Sequence, residues 1–265
     1  MAFDVVPGDP GSPVILHVPH SSREIVDSGL FPDIVPEELD HLTDAYTDVI
    51  ARHAVDLAGR KPWLFINRLS RLVVDPERFA DDEMVAVGMG PVYTHGYAGR
   101  RLRADDPVRD EALLTEHFRP YAEAMTTLVG QRLTATGQAW VIDVHSYPTA
   151  RLPYELHGDG PRPPVCLGTD GFHTPPELIA AARAAFPGSA LDTPFAGCYV
   201  PLDHYHRDPA VRALMIEIRR DQYMTEPGGP PTAGLATISR ALADLVDTIP
   251  GRVAAGATDP AAGMT

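Results

Sequence analysis

Short apolar runs that stop abruptly at ionisable side chains constrain this chain more than any other feature. Val14-Ile15-Leu16-His17-Val18 leads into Pro19-His20-Ser21-Ser22, and Ala139-Trp140-Val141-Ile142-Asp143-Val144 leads into His145-Ser146. A third run, Ala213-Leu214-Met215-Ile216, meets Glu217 and then Ile218-Arg219-Arg220. Runs of this length suit buried strands. Between them lie segments with helical spacing. Residues 36–57 put Leu39, Leu42, Ala45 and Val49 on one side, and a helix there places Asp44 and Asp48 one turn apart on one face. Strands alternating with helices predict a layered, mixed-sheet α/β fold, in which ligand chemistry gathers beyond the carboxyl ends of the strands. His20 and His145, distant in sequence, are therefore expected to share one cleft.

The remaining elements follow the same reading. Trp63–Ile66 and Leu72–Val74 are short strand candidates flanking Asn67-Arg68 and Ser70-Arg71. Gly88, Gly90, Pro91, Gly96 and Gly99 mark a long loop placed to cover a cleft rather than add core. A long helix is expected from Arg109 to about Thr136, bent or divided at Pro120. Further helices are expected over 176–185 and 232–249. Residues 1–250 read as one domain, and 251–265, rich in Ala and Gly, as a flexible C-terminal tail.

Composition narrows the function classes. With 265 residues, 44% of them hydrophobic, the chain can bury a substantial core. Its net charge of -14 disfavours a general role on nucleic acid or anionic membranes, while arginines between Arg68 and Arg103 and the Arg219-Arg220 pair can still form a local anion pocket. Two cysteines, Cys166 and Cys198, make neither a disulfide framework nor a Cys-rich zinc site. No run approaches the roughly 20 apolar residues that span a bilayer. A cytoplasmic protein is the expectation.

Zinc hydrolysis commonly uses three nitrogen or carboxylate ligands and keeps one position for water. His20, Asp44 and His145 satisfy that requirement if they converge, with Asp48 the substitute should the helix phase differ. Asp143 is suited to orient or tune a ligand. Glu217, an acid at the end of an apolar run, can take a proton from water and return it to a departing amine. A buried salt bridge to Arg71, Arg219 or Arg220 is the plainer role for it. Arg71 and Arg78 offer planar forks that match a dicarboxylate, and equally suit internal pairing with Asp75 or Glu77. Arg100, Arg101 and Arg103 form either a further positive rim or a solvated loop. Cys198 has no identifiable base, and Ser146 lacks a nucleophile elbow.

Taken together, HVPHSS, TDAYTD, NRLSRLVVDPERF, YTHGYAGRRLR, VIDVHSYP and LMIEIRRDQYMTE, in this order over about residues 13–226, resemble the N-formylglutamate amidohydrolase (deformylase) family. The resemblance implies hydrolysis of N-formyl-L-glutamate to L-glutamate and formate, the last step of one histidine-degradation route. It also implies a fold like that of zinc carboxypeptidases. It places metal ligation on His20, Asp44 and His145, catalysis on Glu217 and substrate binding on Arg71 and Arg78. Zn2+ is the implied metal, with Co2+ or Mn2+ also suited to these ligands. The implied partner is a small acidic N-acyl amino acid, with no nucleic acid and no membrane. Ala45 stands where many relatives have tryptophan, and HSS replaces a frequent HSG or HAG. Two other readings stay open: hydrolysis of another N-acyl acidic amino acid, and noncatalytic, metal-dependent binding of an acidic metabolite.

Overall fold

The structure is a computed structural model that describes residues 2–80, 82–157 and 159–251. Its centre is a seven-stranded mixed sheet formed by β1 (Phe3–Val6), β2 (Val14–Val18), β3 (Trp63–Asn67), β4 (Ala139–Tyr147), β5 (Val165–Gly168), β6 (Ala190–Leu191) and β7 (Val211–Arg219), in spatial order β1-β3-β2-β4-β7-β5-β6. The middle four strands, β3, β2, β4 and β7, run parallel. β1 pairs antiparallel with β3, and β5 antiparallel with β7. All nine residues of β4 are buried, and its first four, Ala139–Ile142, are continuously apolar, as suits a central parallel strand covered on both faces.

Helices α1 (Val35–Leu42), α2 (Thr47–Leu57), α3 (Pro107–Leu113), α4 (Arg119–Thr136), α5 (Pro176–Ala185) and α6 (Gly234–Thr248) complete the fold. Alternate residues of the central strands divide the core in two. Leu16, Ile142, Val144, Leu214 and Ile216 pack with Ile50 of α2, Leu178 of α5 and Leu242 of α6. Ile15, Phe65, Val141 and Ala213 face the other way, against Tyr121, Met125 and Leu128 of α4. Burying each of these large apolar side chains contributes about 1.5–3 kcal/mol, so the two layers fix the strand register. The expectation of a layered α/β fold with a mixed sheet is met.

Several local expectations are corrected. Residues 36–57 form two helices rather than one, since Thr43 is extended and Tyr46 is left-handed at φ 67°. Asp44 therefore sits in the break between α1 and α2, and Asp48 lies in the first turn of α2. Leu72–Val74 is a buried turn, not a strand. The Gly88–Gly99 segment adds core: Met89 and Tyr93 are buried with Leu39, Leu42 and Leu72. The long helix is continuous through Pro120, but a π turn at Leu114–Phe118 separates α3 from α4 just before it. Such a turn re-routes backbone bonds near a residue that lacks an N–H. Of the tail, residues 252–265 lie outside the described residues. Among the described residues no helix is long and apolar enough to cross a membrane.

Candidate metal centre

The carboxyl ends of β2, β3, β4 and β7 open onto one cleft of about 140 Å³. Register explains why. His17 pairs with Asp143 across β2 and β4, and His145 pairs with Glu217 across β4 and β7. Side chains two apart on a strand share a face, so Asp143 and His145 point to the same side of β4. His20 follows β2 in the loop, and the turns after β3 supply Arg71 and Arg78. Asp44 arrives from the break between α1 and α2, where its N–H donates to the His20 carbonyl at 3.0 Å and the Asp44 carbonyl accepts from Thr47 Oγ1 at 2.8 Å. All six residues to which the resemblance gives a role, His20, Asp44, Arg71, Arg78, His145 and Glu217, line this cleft. Asp48 does not, nor do Arg100, Arg101 and Arg103. Arg103 is instead buried against the carbonyls of Ser28 and Leu72.

His20, Asp44 and His145 form a compact triangle. Nδ1 of His20 lies 3.3 Å from Nδ1 of His145, and Asp44 Oδ2 lies 3.7 Å and 3.3 Å from these two nitrogens. Ligands about 2.0–2.2 Å from a tetrahedral ion stand roughly 3.3–3.6 Å from one another, so these donors fit a divalent metal. The inner atoms meet only one another, and the surroundings engage the outer ones. His20 Nε2 is 2.9 Å from Asp75 Oδ1, and His145 Nε2 is 3.0 Å from Asp143 Oδ2, so each imidazole faces a carboxylate with the nitrogen turned away from the triangle. Arg220 holds Asp44 Oδ1 at 3.1 Å and donates to Ser146 Oγ at 3.2 Å, leaving Asp44 Oδ2 toward the imidazoles.

Glu77 adds a further donor beside the same imidazoles, with Oε2 3.2 Å from His145 Nε2 and 3.7 Å from His20 Nε2. His20, Glu77 and His145 therefore make a second compatible donor set. Sequence reasoning had weighed Asp75 and Glu77 only as partners for the arginines, and had given His17 no role. Arg220, expected as a source of positive charge or a salt-bridge partner of Glu217, pairs with Asp44 instead. The available signal was Asp75-Pro76-Glu77, two carboxylates two residues apart directly after the strand β3 and its turn.

Burial and charge set the protonation of the cluster. Burial pushes the Glu217 carboxyl up to about 7, against opposing attraction from His145, and its Oε2 has no hydrogen-bond partner. Burial also opposes ionisation of Asp143, but His145 and His17 outweigh it and hold that carboxyl well below the usual range. His145 is raised well above 6.5: burial disfavours its charged form, and Asp143 and Glu77 overcome that penalty. Arg71 donates to Asp75 Oδ2 at 2.8 Å and to the Tyr93 hydroxyl at 3.0 Å, while Tyr93 donates to the same Asp75 oxygen at 2.5 Å. Arg78 reaches Asp82 at 3.4 Å, and its buried Nε has no hydrogen-bond partner. One edge of each guanidinium is thus anchored while the group lines the cleft.

A mixed-sheet α/β protein with a buried cluster of imidazoles and carboxylates at its strand ends defines a metallohydrolase. The N-formylglutamate amidohydrolase family model matches residues 12–224, and the chain belongs to that family. By that membership it is an amidohydrolase, and the reaction implied by its motifs is that of its family. Among solved structures it is similar to an N-formylglutamate amidohydrolase from Ralstonia eutropha, with TM-score 0.80 and 23% identity over 94% of this chain and 97% of that one. It is also similar to a gene product of Agrobacterium tumefaciens, with TM-score 0.67 and 18% identity over 93% and 94% of the two chains. These likenesses establish the fold. A comparison with curated proteins returns no significant match.

Proposed function

We propose that this protein hydrolyses N-formyl-L-glutamate to L-glutamate and formate, with His20, Asp44 and His145 holding a zinc ion, Glu217 moving protons, and Arg71 and Arg78 binding the substrate carboxylates. The observation that carries the reading is Glu217, a buried acid with an unpartnered oxygen, placed in register beside His145 in the cleft that holds the three metal donors. The cleft is small beside the roughly 300–1,000 Å³ of sites for drug-sized ligands, which suits a compact metabolite. Cobalt or manganese is compatible with the same donors. The setting implied by the family is cytoplasmic histidine degradation, with residues 1–250 as the working domain.

When bound, the ion supplies Lewis acidity and lowers the pKa of water at the site. The chain's own groups do the rest. Arg71 and Arg78 fix the glutamate carboxylates, so the formamide carbon is held against the attacking water. Glu217, ionised, accepts a proton from that water as its oxygen bonds to the formyl carbon. Protonated, it then donates to the nitrogen as the carbon–nitrogen bond breaks. Glu217 regains its starting charge, the second water proton passes from the nascent formic acid to the amine, and formate and the ammonium form of glutamate leave.

Glutamate and formate release is measured with metal-stripped and zinc-reconstituted protein on N-formylglutamate, N-acetylglutamate and N-formylleucine. Zinc-dependent release selective for N-formylglutamate is expected, and Arg71→Ala and Arg78→Ala should erode selectivity over N-formylleucine. A folded, zinc-loaded protein inert on N-formylglutamate would overturn the substrate assignment in favour of another acyl group or a binding role. Unchanged selectivity in both arginine variants would remove the arginines from it.

A further inference from the structure

A second group of donors lies beside the first and has no role in the hydrolysis derived above. His17 is wholly buried on the face of β2 that meets α4, with Nδ1 2.9 Å from Asp143 Oδ1 and 3.5 Å from Glu77 Oε1. All three atoms are buried, and none has a hydrogen-bond partner. His17 and Asp143 make an ion pair only when the ring is protonated, and that pair would still leave Glu77 Oε1 unmatched. The other ring nitrogen, Nε2, is engaged by the Tyr121 hydroxyl. In the tautomer that donates Nε2–H to Tyr121, Nδ1 directs its lone pair toward the two carboxylates.

The three residues offer ligand atoms within 4.8 Å of one another, and the separations from His17 match ligands about 2.0–2.2 Å from one ion at angles of roughly 80–120°. Entry comes from a different opening. Glu77 and Asp143 line a neighbouring cavity of about 560 Å³, shared with Arg78, Cys198, Tyr199 and Met215, which His20, Asp44 and His145 do not line. Charge points the same way. Asp44, Asp75, Glu77, Asp143 and Glu217 face Arg71, Arg78 and Arg220, leaving two negative charges in excess when the histidines are neutral and all five acids are ionised. One divalent ion cancels that excess. A second makes the loaded cluster positive, which suits a substrate carrying two carboxylates.

We propose that His17, Glu77 and Asp143 bind a second divalent transition-metal ion, of the zinc, cobalt or manganese class, next to the His20, Asp44 and His145 centre. Asp143 then spans both, with Oδ2 orienting His145 and Oδ1 ligating the second ion. The proposal rests on the proposed function for the first centre and for the dicarboxylate that the added charge suits, and the metal count below tests it apart from that reading.

The test is metal content rather than turnover. Chelator-stripped full-length protein is dialysed to equilibrium against zinc, and bound metal is measured by elemental analysis, with circular dichroism as the check on folding. Wild-type protein is expected to hold two equivalents, and His17→Ala and His20→Ala one each. A folded His17→Ala protein that holds as much zinc as wild type overturns the proposal. If His17→Ala does not fold, wild-type protein saturating at a single equivalent that His20→Ala abolishes overturns it equally. A fall of one equivalent in His17→Ala with none in His20→Ala supports this site and sinks instead the ligand role of His20.

Discussion

On the proposed mechanism, the ionisation of Glu217 couples its surroundings to the rate. Burial lifts its carboxyl from 4.5 to about 7, whereas a base must be ionised to accept a proton from water. kcat/KM is therefore expected to rise with pH along a limb centred near 7, or lower when a bound cation favours the carboxylate. Glu217→Gln should lose about 10²–10⁴-fold in turnover and the limb with it, while metal content stays at the wild-type level. Turnover within a few-fold of wild type, or a limb that survives the substitution, would take the proton-transfer role from Glu217. Arg220 acts through Asp44, whose Oδ1 it holds. Arg220→Gln is expected to weaken zinc binding about 10–100-fold, as loss of partners to metal ligands typically does, read by competition with a chromophoric chelator. Equal affinity in the two proteins would mean that Asp44 needs no such support. Residues of this kind divide by how they are legible. His20, His145 and Glu217 each interrupt or follow an apolar run, so the sequence marks them directly. His17 matters because of what lies across the sheet from it, which strand register carries, and Glu77 because of how the turns after β3 fold back over the strand ends, and neither is read from local pattern.

Among the elements, the central strands were the most readable and the edges the least. β4 and β7 each bury long apolar runs, whereas β1, β5 and β6 have only four, four and two residues, too few to show a period, and their pairing is decided by the neighbouring strand. The break between α1 and α2 was hidden for another reason. Leu39, Leu42, Ala45 and Val49 keep helical spacing across it, but the bonds from Asp44 to His20 and Thr47 override that spacing and draw the carboxylate to the strand ends. Asp44 was thus identified on the wrong element. Helix α4, by contrast, stops where glycine predicts. Gly137 adopts φ +80°, its N–H donates to the Leu133 carbonyl at 2.8 Å, and a Cβ there would meet nothing within 4 Å. The cost of Gly137→Ala is therefore backbone strain alone, about 1–2 kcal/mol. Denaturant unfolding should show that loss with zinc affinity intact, and an unchanged midpoint would mean the turn relaxes without strain.

At the scale of the whole molecule, the strand ends concentrate buried charge, so metal, protons and stability are linked. In the metal-free protein His20 has its pKa raised: burial and Arg71 disfavour the cation, but Asp75 and Asp44 outweigh them. His145 is raised further. The stability these imidazoles contribute is fully present below 6.5, their ordinary value, and is lost as pH climbs through the higher folded values. Glu217 acts in the same direction, because the folded chain holds its proton between 4.5 and about 7 while the unfolded chain releases it. Asp75 and Asp143, both held well below 3.8, stabilise above that value and cease to do so only as pH falls through their depressed folded values. Metal-free protein should therefore lose stability as pH rises from mildly acid to alkaline. On the proposed ligand set zinc is expected to reverse the trend, since it would take the place of protons on the same imidazoles and bind more tightly as pH rises. Zinc at 100 times its Kd adds about 2.7 kcal/mol to the folded state, so the gain at fixed zinc should grow with pH. Thermal melts with and without zinc at about pH 6 and about pH 8 measure this, and a larger increase in Tm is expected at the higher value. An increase in Tm that is equal at both, or larger at the lower, would show that the ion binds away from His20 and His145.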